Sequence, residues 1–234
     1  MVPAKLASLP TIKRLPSYLH VIEHYQREGR EFISGTVIAE ELELEPIQVR
    51  KDLAVTGIVG KPRIGFPVDR LIEAIHTFLN WKNTQRAIIV GAGNLGTALM
   101  GYTEFPRRGL DIVAAFDLDK NKIGKKINGK EVFSLSRVAE QVERLGAEIA
   151  ILTVPSSHAQ TVAELLVQSG ITAIWNFTNV KLKVPPGVIV QKEDLSSGYA
   201  VLSVKIGLVH NGHKPVSPQE ANSPGQAEQA QQQT

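Results

Sequence analysis

The stretch "AIIVGAGNLG" (Ala87–Gly96) sets the architecture of the larger part of this chain. A short apolar run, Ala87–Val90, is followed at once by Gly91, Gly93 and Gly96 in the G-x-G-x-x-G pattern, with Ala92, Asn94 and Leu95 between them. The helix-compatible segment "TALMGY" comes next. Strand, glycine turn and helix in that order make a dinucleotide-binding βα unit. Gly91 permits the tight turn, Gly93 lets the backbone approach a pyrophosphate, and Gly96 lets helix and strand pack closely. The phosphates are expected over the first turn of the helix. Glycine-rich turns also occur for purely structural reasons, so the motif gains weight from its surroundings.

Outward from this stretch, Ile112–Phe116, Ile149–Val154 and Thr172–Trp175 are further apolar runs alternating with helix-like segments. That alternation predicts a parallel sheet with helices on both faces, an α/β domain. The second run ends in "FDLD", and Asp117 lies 21 residues beyond Gly96, the interval expected of the ribose-binding acid. A carboxylate there accepts from ribose hydroxyls and repels a 2′-phosphate, which favours NAD over NADP. "LTVP" (Leu152–Pro155) and "NFT" (Asn176–Thr178) sit at the ends of later strands, where ligands bind in open α/β sheets. Thr153 and Asn176 are expected to orient a carboxamide, with Val154, Pro155 and Phe177 as an apolar wall. Another adenine nucleotide such as coenzyme A is the main competing ligand.

Before the sheet, the period is helical. Leu15, Tyr18, Leu19 and Ile22 predict a first helix from about Pro16 to Glu28. A second, capped by Ser34 or Thr36, runs through Leu42, and a third starts at Pro46 with Val49 and Leu53 on one face. Two extended pieces, Gly57–Val59 and Ile64–Phe66, joined by Gly60–Arg63, read as a small hairpin. A fourth helix from Pro67 carries Val68, Leu71, Ile72, Ile75 and Leu79 as its stripe. Three helices, a hairpin and a further helix outline a winged helix-turn-helix. Between Gln48 and Phe66, Arg50, Lys51, Lys61 and Arg63 face the single acid Asp52, a local excess equal to the whole chain's +3. Gln48, Arg50 and Lys51 are therefore candidates for base and phosphate contacts in a major groove, and Lys61 and Arg63 for the adjacent minor groove or backbone.

The chain's composition is compatible with a packed core, since 43% of its 234 residues are hydrophobic. There are no cysteines, which removes disulfides and thiolate chemistry. No run approaches the ~18 apolar residues of a membrane span, and no signal-peptide core is present, so a cytoplasmic protein is expected. The domains are expected at 1–82 (DNA binding), 83–192 (Rossmann) and 193–210 (a C-terminal helix), with a disordered Gln-rich tail at 211–234. No metal site and no catalytic set is expected. His158, the best available proton donor, reads more simply as a solvated helix start.

These motifs together, "QVRKDL" (Gln48–Leu53), "IGF" after a basic turn, "GAGNLG", "FDLDKNKIG" (Phe116–Gly124), "LTVP" and "NFT", resemble the Rex family of redox-sensing transcriptional repressors. The set spans roughly residues 10 to 208. The resemblance implies a homodimer that binds palindromic operator DNA when NAD⁺ dominates and releases it on binding NADH. It adds Lys122 and Thr178 to the cofactor-binding residues. It also implies that the C-terminal helix is exchanged between subunits, with Asp194 at its start and Tyr102 on the first Rossmann helix as the aspartate's partner. His20 stands where an arginine is often found, one that pairs with that aspartate in the DNA-bound form. A small NAD-dependent oxidoreductase and a coenzyme A-binding regulator are the alternative readings.

Overall fold

The computed structural model describes residues 7–210; the expected disordered tail at 211–234 lies outside them. The chain divides into two compact units, one built on the described residues up to Asn80 together with those from Ser203, the other on Trp81–Leu202.

The first unit opens with α1 (Leu9–Arg27), α2 (Gly35–Glu41) and α3 (Pro46–Ala54). Helix α1 begins earlier than expected. The Ser8 side chain accepts from the Thr11 N–H and Pro10 sits in the first turn, so the start signal lies well before Pro16, which the helix absorbs in its interior. Ser34 caps α2 in the same way, accepting from the Val37 N–H at 3.1 Å. Leu15, Tyr18, Leu19 and Ile22 of α1 close on Ile38, Val49 and Leu53, all fully buried. Helix α4 (Val68–Phe78) adds Val68, Leu71 and Ile75.

The expected hairpin is corrected. Phe66 does not pair with Gly57–Val59. Instead β1 (Phe32–Ile33) pairs antiparallel with β2 (Phe66–Pro67), Ile33 opposite Phe66. The wing shrinks to a loop closed by Lys61 and Gly65, whose N–H groups each donate to the other's carbonyl at 2.7 and 2.9 Å. Gly65 has φ of +107°, and a Cβ there would collide with the Ile33 carbonyl, so only glycine lets the wing root against β1.

One polar cluster lies inside this apolar core. Asp52 of α3 is 1% exposed, and its carboxylate accepts from Thr11 Oγ1 (2.9 Å), Arg14 Nε and Nη2 (2.7 and 3.0 Å), Tyr18 Oη (2.7 Å) and Gln48 Nε2 (2.9 Å). Burial pushes the carboxyl's pKa up. The hydrogen bonds from Arg14, Tyr18 and Thr11 outweigh it and hold the group below the usual carboxylate range.

In the second unit, β3 (Gln85–Val90) is followed by α5 (Asn94–Met100), α6 (Glu104–Arg107) and β4 (Leu110–Asp117). A hairpin absent from the sequence reading comes next, β5 (Lys126–Ile127) and β6 (Lys130–Ser134), turned by Asn128 and Gly129 at φ of +49° and +77°. Then come α7 (Val138–Leu145), β7 (Ile149–Leu152), α8 (Ala159–Gln168), β8 (Ala173–Asn176) and β9 (Ile189–Lys192); α9 (Ser196–His210) ends the described residues. The sheet order is β5-β6-β4-β3-β7-β8-β9, parallel throughout except for the β5 edge. Alternate residues serve opposite faces. Ile88 and Val90 join Val142 and Leu166 of α7 and α8, while Ala87 and Ile89 join Met100 of α5. Burial on both faces is what makes the central strands continuously apolar.

Removing the charge at Asp52 leaves its donors without an anionic acceptor. Asp52→Asn should cost about 3 kcal/mol of stability, read as a lower urea midpoint at neutral pH. The folded pKa is depressed, so this stabilisation is complete above the unfolded value of about 4 and is lost as pH falls through the folded value; the gap between the two proteins should close with acidification.

Candidate nucleotide site and nucleic-acid interface

Strands β4, β3, β7 and β8 are parallel neighbours, so their carboxyl ends form one crest. The chain leaves β3 toward β4 on one side and returns to β7 on the other, which makes β3/β7 the switch point at which such sheets bind nucleotides. Gly91 follows β3 with φ of +101°, and a Cβ there would stand 2.7 Å from the Thr153 carbonyl oxygen. A Cβ on Gly96 would run into the Gly91 carbonyl. Gly93, by contrast, has nothing within 4 Å of where its Cβ would be. The protein's own packing therefore requires two of the three glycines and leaves the middle one open. Asn94 and Leu95 continue from it into the first turn of α5, whose N–H groups have no intrahelical acceptor.

Asp117 closes β4 beside this turn. Its Oδ2 accepts from the Ala92 N–H at 2.9 Å and from Lys122 Nζ at 3.3 Å, and its Oδ1 accepts from the Asp119 N–H at 2.9 Å. Burial raises its pKa, but the Asp119 N–H and the Lys122 ammonium prevail and keep it below the ordinary carboxylate range. It is an anion with acceptor capacity left on Oδ1, the chemistry a ribose diol needs. Asp117, Ala92 and Lys122 are thus brought together beside the glycine turn.

The carboxamide expectation is revised. Thr153 donates its hydroxyl to the Gly91 carbonyl at 2.8 Å, bracing the glycine turn. Asn176 is fully buried; its Nδ2 donates to the Val180 carbonyl at 2.8 Å, and its Oδ1 accepts from the N–H and Oγ1 of Thr178 at 2.9 and 2.8 Å. Asn176 and Thr178 therefore shape the loop after β8 from within. Val154 and Phe177, half-buried, and Pro155, exposed, stay at the crest as an apolar surface.

Phe177 also leads into an aromatic row that the sequence reading missed. Its ring lies 5.1 Å from Trp175, which lies 5.6 Å from Phe105, which lies 4.8 Å from Tyr102. Tyr102 is 53% exposed and lies in the turn after α5 rather than on that helix. Trp175 Nε1 donates to Glu193 Oε1 at 3.1 Å. The neighbouring Asp194 accepts from the Ser196 N–H at 2.9 Å and from its hydroxyl at 2.5 Å, bonds that cap α9 and hold the aspartate below its usual range. His158 is exposed in the 3-10 turn Ser156–His158.

In the first unit, α3 turns Val49, Asp52 and Leu53 inward and exposes Gln48, Arg50 and Lys51. The Arg50 stem crosses Gly35, whose added Cβ would lie 3.1 Å from the Arg50 Cγ. At the wing, Lys61 and Arg63 are exposed, with Lys61 Nζ 5.1 Å from the centre of the Phe32 ring. Pro62 sets the first corner and Arg63 occupies the second with φ of +62°, a conformation that ordinarily selects glycine. His20 is exposed on α1.

Comparison with known proteins places both units. Residues 7–54 match the family model "Putative DNA-binding protein N-terminus", and residues 82–180 match "CoA binding domain". The redox-sensing transcriptional repressor Rex of Treponema denticola is 58% identical over 204 residues, 87% of this chain and 97% of the relative. That of Carboxydothermus hydrogenoformans is 41% identical over 84% of this chain and 94% of its own. The crystal structure of RSP in complex with β-NAD⁺ and operator DNA superposes with a TM-score of 0.80 at 33% identity, covering 89% of this chain and 96% of RSP. The RSP complex with β-NADH gives 0.80 at 32% identity, covering 89% and 98%. Matched at 58% identity over 97% of the Treponema denticola repressor, and by RSP across 89% of its own length, this chain belongs to the Rex family of redox-sensing transcriptional repressors.

Proposed function

We propose that this chain is a homodimeric repressor acting in the cytoplasm. It binds palindromic operator DNA through α3 and the wing, and releases it when NADH replaces NAD⁺ at the β3/β7 crest. The observation that carries the nucleotide half is the open Gly93 between two glycines that packing requires. Close approach of a pyrophosphate to the backbone is a reason for that position to lack a side chain. The ionised Asp117 disfavours a ribose phosphate, so coenzyme A, with a phosphate on its adenosine ribose, fits less well than NAD(H). The relatives are repressors, which sets the oxidoreductase reading aside.

Redox discrimination follows from charge. The nicotinamide ring of NAD⁺ is a cation and that of NADH is neutral, so an apolar wall of Val154, Pro155 and Phe177 penalises the oxidised form. The bound ring affects DNA only through its affinity difference between DNA-binding and released states.

Dimerisation is supported by α9. Tyr199, Val201, Leu202, Val204, Ile206, Leu208 and Val209 are 40–71% exposed on it, an apolar helix left bare by its own chain. Exchange of α9 with a second copy, Asp194 meeting Tyr102 in one state and His20 in the other, covers that surface and makes dimer closure sensitive to the nucleotide.

Fluorescence anisotropy on a palindromic operator tests the reading. NADH should weaken binding by about 5- to 150-fold and NAD⁺ should not; equal responses to the two would refute redox sensing. Gly93→Ala should keep the wild-type melting temperature and lose at least about tenfold in NADH affinity, whereas Gly96→Ala should lose about 1–3 kcal/mol of stability. Arg63→Gly should leave stability within about 1 kcal/mol, because relief of the left-handed backbone offsets the added freedom of the unfolded chain. The same variant should bind operator more weakly, with a salt slope shallower by about 1.

A further inference from the structure

Gln48 combines two properties rarely found in one surface side chain. It is exposed on α3, yet its amide is tied at 2.9 Å to the buried Oδ1 of Asp52. The orientation of that amide follows from chemistry. Asp52 carries the Arg14 guanidinium on both oxygens and also accepts from Tyr18 and Thr11. An ionised carboxylate accepts and never donates, so the end of Gln48 turned toward it is the NH₂. A 180° flip would set the Gln48 carbonyl against the carboxylate. Oε1 and the second N–H of Nε2 have no hydrogen-bond partner among the described residues.

Resting on the reading that α3 enters a major groove, we infer that Gln48 specifies an adenine in each operator half-site, with Asp52 as the residue that positions its amide. What remains free on the fixed amide is one acceptor beside one donor. In the major groove adenine offers the matching pair, the N6 amino group as donor and N7 as acceptor. Guanine presents two acceptors, O6 and N7, and would face Oε1 with one of them while the N–H that could have served it is held by Asp52. Thymine offers one acceptor and a methyl group, and cytosine one donor, so each leaves half of the amide unpaired. Anchoring at Asp52 also removes much of the rotamer freedom a surface glutamine would lose on binding.

The test is selection by the full-length protein from a palindromic duplex library randomised at every half-site position, followed by affinity measurements on the selected duplex. The wild type should enrich one A·T pair per half-site, by about tenfold over the other bases. Gln48→Ala, a truncation at the surface, should lose that preference and keep the others. Replacing that adenine by 7-deazaadenine, which lacks the N7 acceptor, should weaken wild-type binding about tenfold and the variant's not at all. An unchanged preference profile in Gln48→Ala, or a Gln48-dependent guanine, overturns the assignment and leaves the DNA-binding reading standing. A wild type that selects no duplex overturns both.

Discussion

The first unit turns on a single anion. Asp52 places a carboxylate inside the helical core and surrounds it with hydroxyls from Thr11 and Tyr18, a guanidinium from Arg14 and an amide from Gln48. Burying a charge is costly, and a well-packed apolar side chain could stabilise the core as well. What an apolar contact lacks is direction. Hydrogen bonds to Thr11, Arg14 and Tyr18, spaced along one stripe of α1, fix the rotation of α3 about its own axis. With that rotation fixed, Gln48, Arg50 and Lys51 are delivered to the outer face, while Val49 and Leu53 close the core. On the proposed reading, in which α3 enters a groove, its outward residues are held in register from the inside.

The nucleotide crest uses a comparable division of labour. Gly91 and Gly96 exist for the protein, since the Thr153 backbone and the Gly91 carbonyl occupy the space a side chain would take. Gly93 has no such neighbour. Around this turn the polar side chains that look poised for a ligand face inward: Thr153 braces Gly91, Asn176 and Thr178 brace each other, and Asp117 holds the Ala92 N–H. These side chains are thus spent within the crest, and what stays uncovered there is an open glycine, the remaining acceptor capacity of Asp117 and an apolar wall.

Much of this was legible in the sequence because the signals were local. The glycine spacing, the acid 21 residues on, and the apolar runs of β3, β4, β7 and β8 all sit within one supersecondary unit. The Asn128–Gly129 turn was equally local and announces the β5–β6 hairpin, but its strands are too short for periodicity to show. Helix α1 hid its first turns because Pro16 looks like a start until Ser8 and Pro10 are recognised as an earlier one. The wing's pairing is not legible locally, because β2's partner lies more than thirty residues upstream, at Phe32–Ile33, and nothing near Phe66 reveals it. Asp52 looked like a surface charge among basic residues; its donors at Thr11, Arg14 and Tyr18 are long-range in sequence and invisible to any window. The aromatic row from Tyr102 to Phe177 is hidden for the same reason, since it joins two segments some seventy residues apart.

Helix α9 has a consequence for how the molecule behaves at different abundances. A surface this rich in leucine and valine is thermodynamically finished only once another surface lies on it. If a second copy supplies that cover, mass action enters the folding equilibrium, and dilution alone lowers the melting temperature as a denaturant would. Chains newly made at low copy number then spend time with an adhesive flank, and the rise to working repression lags behind synthesis until protomers meet.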